Sequence, residues 1–120
     1  MTEPQPTLSE IEIRTQLAGL PHWRWVDNHL ERRYTTGGWK GSLMVANAIG
    51  HLAEAAWHHP DLLVTYPAVT VSLSTHDAGG ITAKDFALAL RIEALIQWRP
   101  EEGPLEGTPD GPRFQYVHHD

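Results

Sequence analysis

The chain has 120 residues, 41% of them hydrophobic and 20% charged, the size and balance of one ordinary globular domain rather than a disordered or fibrous chain. A net charge of -6 with no basic cluster argues against nucleic acid as a partner, because neutralising phosphates leaves a basic face. Cysteine is absent, which excludes disulfide staples, cysteine nucleophiles and thiolate metal sites together. No apolar stretch is long enough to cross a bilayer, and the opening Met1-Thr-Glu-Pro-Gln-Pro6 lacks the charged region and apolar run of a signal peptide. No membrane partner and a cytoplasmic location are therefore expected. A domain this short gains stability by self-association, and five tryptophans favour a dimer or higher oligomer.

In chain order, Thr7-x-x-Glu10 has the form of a capping box, and Ile13, Leu17 and Leu20 follow at helical spacing before Pro21, so a first helix is expected over 8–19. His22–Val26 and Leu30–Tyr34 are short alternating segments joined by Asp27-Asn28 and read as a hairpin. Lys40–Trp57 is helical in pattern, with Leu43, Ala46, Ile49, Ala53 and Ala56 on one stripe, and Pro60 stops it. Ala68–Thr75 alternates, with Val69, Val71 and Leu73 on one side, and one further residue of strand puts His76 on the polar face. Asp77–Gly80 is a turn, and Thr82-x-x-Asp85 opens a helix carrying Leu88, Ile92, Leu95 and Ile96 inward as far as Trp98. Residues 100–120 are rich in Gly and Pro without a period and read as an extended tail behind a domain of residues 1–99. The order helix, strand, strand, helix, strand, strand, helix predicts an α+β fold, a four-stranded antiparallel sheet with three helices on one face.

Histidine is the side chain best suited to move protons near neutral pH. His58 and His59 stand at the end of the second helix with Glu54 four residues before His58, on the same helical face, where a carboxylate fixes the tautomer of an imidazole. A third histidine delivered at His76 makes an acid/base site around a cleft. The competing reading is that each merely caps a helix or completes a turn. His51, Glu54 and His58 share another stripe, yet the spacing is that of no known zinc helix and thiolates are lacking, so no metal is assigned.

The run Glu54-x-x-x-His58-His59-Pro60, then five residues to Tyr66, nine to His76 and eight to Asp85, resembles the signature of the pterin-4a-carbinolamine dehydratases, also called 4a-hydroxytetrahydrobiopterin dehydratases. Thr75-His76-Asp77 and Gly80-Ile-Thr-x-x-Asp85 are similar to that family too, and the resemblance is good from about Leu43 to Ile96. It implies three helices on a four-stranded antiparallel sheet, a homodimer or homotetramer, and dehydration of 4a-hydroxytetrahydropterin to the quinonoid dihydropterin without any cofactor. It also implies that His58, His59 and His76 surround the pterin, with Glu54, Pro60, Thr75, Asp77 and Asp85 binding or supporting. Asp85 equally suits the capping box opened by Thr82, and the two roles are compatible.

Three features depart from the family pattern: Tyr34-Thr-Thr-Gly-Gly-Trp-Lys40 at the entry to helix two, Trp57 where a polar or acidic residue is common, and the long tail with Arg113-Phe-Gln-Tyr116. They keep open a second reading, an inactive dehydratase-like assembly factor for ribulose bisphosphate carboxylase in α-carboxysomes, in which Trp39, Trp57 and the tail contact the partner. Which histidine is acid and which is base stays open.

Overall fold

Two segments with alternating apolar side chains form the centre of the molecule. β2 (His29–Thr35) and β4 (Ala68–Leu73) pair antiparallel, with Leu30 opposite Leu73, Arg32 opposite Val71 and Tyr34 opposite Val69. These six side chains share one face, and all six are buried. β1 (Arg24–Val26) pairs with the outer side of β2 and β3 (Asp61–Val64) with that of β4, giving the order β1-β2-β4-β3. This computed structural model describes residues 6–120, so Met1–Gln5 of the opening segment read above lie outside the described residues.

α1 (Glu10–Leu17), α2 (Trp39–Ala56) and α3 (Ala83–Ile96) add Ile13, Val45, Ile49, Phe86, Leu88, Ala89, Ile92 and Ile96 to the same apolar cluster. The expected α+β fold, three helices over a four-stranded antiparallel sheet, is the one observed. The β1–β2 hairpin turns on Asp27 and Asn28, both at positive φ, the conformation of a type I′ turn whose twist suits the flanking strands. α3 starts where expected, on a capping box between Thr82 and Asp85.

Several boundaries differ from expectation. α1 is capped by Ser9 and Glu12, not by Thr7 and Glu10. The Leu8 N–H donates to the Ile81 carbonyl at 2.9 Å, which pins the preceding chain extended and delays the helix. Leu43 and Leu95, expected inward, are exposed; the buried stripe of α2 runs instead through Gly41, Ser42, Val45, Ile49 and Ala53. β4 stops at Leu73, because the Thr75 N–H bonds the Gly80 carbonyl and a short 3₁₀ turn, His76–Ala78, follows. β3 was implied only by element order, and its four residues follow directly on Pro60.

The segment read as an extended tail is tied to the domain at its end. The His118 N–H donates to the Thr35 carbonyl at 2.8 Å, the Gly37 N–H to the Tyr116 carbonyl at 3.1 Å, and Val117 is only 2% exposed. The Gly37 and Gly41 backbones make this crossing possible: a Cβ would stand 1.7 Å from the Gln115 carbonyl oxygen at Gly37 and 2.2 Å from that of Tyr116 at Gly41. Gly37 and Gly41 are thus explained within the chain.

Beneath the tail lies a polar cluster inside the apolar face. Arg32 donates from Nε and Nη2 to Glu93 at 3.0 and 3.2 Å and also pairs with Asp120. Tyr34 and Trp23 donate to the same Glu93 carboxylate at 2.7 and 3.0 Å. Burial pushes Glu93 upward, but the hydrogen bonds from Arg32, Tyr34 and Trp23 outweigh it and hold the group below its ordinary value of 4.5.

Two outcomes follow. Gly41→Ala forces the backbone at Tyr116 away, so thermal stability falls by about 1–3 kcal/mol and the chain after residue 100 becomes sensitive to limited proteolysis; equal protection of the two proteins would refute the crossing. For Glu93 the folded value lies below the unfolded one, so its contribution is complete above about pH 4.5 and is lost as pH falls through the depressed value. Melting temperatures therefore fall more steeply between about pH 5 and about pH 3 in the wild type than in Glu93→Gln.

Candidate functional site

α2 ends before Pro60 requires it to. Trp57 adopts the left-handed conformation, φ 54° and ψ 45°. Its N–H returns to the Glu54 carbonyl and the His58 N–H to that of Ala53, both at 3.2 Å. This is the Schellman ending, usually built on glycine. The reversal sends His58 and His59 off the helical track, which corrects the expected pairing: Glu54 meets His59, not His58.

His58 turns inward. Its Nε2 lies 2.6 Å from Oδ1 of Asp85, a carboxylate with 0% exposure. Oδ2 of Asp85 accepts from the Thr82 N–H and from the Thr75 hydroxyl, each at 2.9 Å. Since Thr75 donates there, the Thr82 hydroxyl donates to Thr75 at 2.8 Å, and itself accepts from the Lys84 N–H at 3.2 Å. A buried carboxylate is costly unless its acceptor sites are filled. Here α2, the end of β4 and the start of α3 fill them. Asp85 therefore both caps α3 and orients His58, as a carboxylate does in holding one tautomer of an imidazole.

His59 stays at the surface, with Nε2 2.6 Å from Oε1 of Glu54. Its ring meets the Trp57 indole edge-on, centroids 5.0 Å apart at 82°. Trp57 is 75% exposed, so the roughly 1–2 kcal/mol that a left-handed L-residue costs is not offset by burial of its ring.

His76 opens the 3₁₀ turn and is exposed. It lines a shallow cavity of about 260 Å³ with Asp27, Asn28, His29 and Thr75. Asn28 Nδ2 donates to the Gly79 carbonyl at 2.8 Å and ties the hairpin tip to this turn. Asp77 is exposed in the same turn, and Pro60 leads into β3. The structure thus joins His58, Thr75 and Asp85 directly, pairs His59 with Glu54, and sets His76 one residue beyond Thr75. Thr82 and His29 were not singled out from the sequence; Thr82 was legible as a cap, whereas His29 carried no signal. Among the described residues no group of three or more His, Asp or Glu side chains is placed to hold a metal ion, and none of their helices is long and apolar enough to cross a membrane. A larger cavity, about 910 Å³, lies between the end of α3 and the C-terminal segment and contains none of these residues.

Fold and site define an α+β protein carrying two adjacent histidines, each oriented by its own carboxylate. Residues 6–95 match the family model described as pterin 4 alpha carbinolamine dehydratase. A relative from Aquifex aeolicus, provisionally named a pterin-4-alpha-carbinolamine dehydratase, is 44% identical over 90 residues, covering 75% of this chain and 91% of that one. Relatives with the same provisional name from Chloroflexus aurantiacus and Thermosynechococcus vestitus are 43% and 47% identical, covering 76% and 73% of this chain and 98% and 93% of theirs. The crystal structure of a transcriptional coactivator/pterin dehydratase from Brucella melitensis superposes with a TM-score of 0.70 at 27% identity, over 74% of this chain and 97% of that one. The chain belongs to the pterin 4 alpha carbinolamine dehydratase family.

Asp85→Ala removes the cap and leaves His58, Thr75 and the Thr82 N–H without their acceptor, and is expected to cost about 2–4 kcal/mol in urea unfolding. A loss below about 1 kcal/mol would mean that the carboxylate is not the junction drawn here.

Proposed function

We propose that the protein dehydrates 4a-hydroxytetrahydropterin to the quinonoid dihydropterin. The carrying observation is the pair His58 and His59, adjacent in the chain and each engaged through Nε2 by a carboxylate at 2.6 Å. With Nε2 so held, a substrate would meet Nδ1, the nitrogen then free to give or take a proton. In the reaction the C4a–O bond breaks as the leaving hydroxyl takes a proton and departs as water. The N5–H bond gives its proton to a base and its electron pair forms C4a=N5. One general acid and one general base suffice, no electrons leave the ring system, and no cofactor is needed.

His58, His59 and His76 are assigned around the pterin, with Glu54 and Asp85 orienting two of them and Pro60, Thr75 and Asp77 shaping the surrounding turns. Family membership and the shared provisional name of the relatives support this reading. Gly37 lends no weight to a partner role, since it accommodates this chain's own C-terminal segment. A homodimer or homotetramer fits the exposed Trp39, Leu43 and Met44 of α2 and the exposed Leu63 on β3, which is an edge strand.

The test is the rate of 4a-hydroxytetrahydropterin dehydration with purified protein. Wild type is expected to accelerate it, and His59→Ala or His76→Ala to lose about 10²–10⁴-fold in kcat, the range for removal of a general acid or base. Should the wild type be inert, the scaffold serves another purpose and a protein partner such as ribulose bisphosphate carboxylase becomes the object of search.

A further inference from the structure

We infer that the indole of Trp57 is a wall of the substrate site that stacks on the flat face of a bound pterin and sets affinity for it, an inference that rests on the dehydratase reading. Trp57 holds the left-handed position at the end of α2, φ 54°, where glycine would sit without strain. A bulky residue there is an outlier, and such strain persists where the side chain has a use. Packing within the chain is not that use, because three quarters of the residue's surface stays exposed.

The ring is placed beside the proposed chemistry. Its edge contact with His59 at 5.0 Å, and the hold of Glu54 on His59 at 2.6 Å, set a large aromatic surface next to an oriented imidazole. A flat fused heterocycle is the ligand class that such a pair fits. An indole face takes the π-face of the bicycle without demanding particular hydrogen bonds, while the imidazole supplies the polar contact. The same left-handed turn directs His58 to Asp85, so one residue both reverses the chain and presents the stacking surface.

The experiment compares wild type, Trp57→Gly and Trp57→Phe in three measurements: thermal midpoint, dehydration kinetics, and calorimetric titration with a dihydropterin that has no 4a-hydroxyl to lose. Glycine relieves the backbone, so Trp57→Gly is expected to melt higher than wild type while its KM and its Kd for the dihydropterin rise about tenfold, the effect of losing one aromatic stack. The fall in kcat is expected to be much smaller, and Trp57→Phe to recover most of the affinity. A merely structural role for the ring would not raise stability and weaken binding together. KM and Kd within about twofold of wild type overturn the inference even if the enzyme is active, as does a Trp57→Gly effect confined to subunit assembly, which would place the ring in an interface. If the wild type proves inert toward the 4a-hydroxy substrate, the dehydratase reading fails by itself. Calorimetry then decides this one: weaker dihydropterin binding by Trp57→Gly sustains it, and no binding by wild type overturns it.

Discussion

The buried carboxylate of Asp85 is where the sequence-distant parts of the molecule are tied together. Ionised oxygen without water is expensive, on the order of several kcal/mol, unless donors take the place of the lost solvent. At Asp85 the donors come from the backbone at the start of α3, from Thr75 just past β4 and from His58 just past α2. Each is close to where a helix or strand begins or ends, so satisfying one carboxylate fixes the relative positions of three elements. The hydroxyl chain from Thr82 through Thr75 polarises in one direction, toward the carboxylate. The imidazole that results is held by a stack of constraints rather than by one contact, which is the property a proton-transfer group requires.

A second carboxylate anchors the other end of the same helix. Glu93 gathers Arg32, Tyr34 and Trp23 over the sheet, and Arg32 in turn reaches Asp120 at the end of the tail. The cation stands over the Tyr34 ring at 4.2 Å, a further gain from the same arrangement. α3 is thereby fixed by Asp85 in its first turn and Glu93 in its last, with Phe86, Ala89 and Ile92 packed into the core between them. One end of the helix serves the candidate site and the other serves the fold.

The readable parts of the sequence were those whose cause is local. The Thr82-x-x-Asp85 box, the alternation through Val69, Val71 and Leu73 and the Asp27-Asn28 turn each follow from a few neighbouring residues, and each stands as read. The sheet and helix composition followed from them. What could not be read depended on distant backbone. Ser9 takes the cap from Thr7 because Leu8 bonds Ile81, across more than half of the chain. The C-terminal crossing rests on main-chain bonds to Thr35 and Gly37 that composition does not reveal, although two closely spaced glycines were a trace of it. The pairing of Glu54 with His59 needed a tryptophan in a conformation that tryptophan disfavours, and local preference argues against it until the structure is known.

This geometry decides which departure from the family pattern can bear on chemistry. His58 at the end of α2 meets Asp85 in the first turn of α3, while the C-terminal segment crosses the start of α2 at Gly37 and Gly41 and bonds Gln97 just past the end of α3. The 18 residues of α2 rise about 27 Å at 1.5 Å each, so the added segment and the histidines occupy opposite ends of the helix pair. The added segment can therefore stabilise the domain without touching the site. The Gly-Gly-Trp entry belongs to that distant end as well, where Gly37 gives way to Gln115 and Gly38, at φ 140°, lies against the Tyr66 ring. Trp57 alone among the departures stands at the histidine end, in contact with His59, so of the three it is the one whose side chain can bear on the oriented imidazoles.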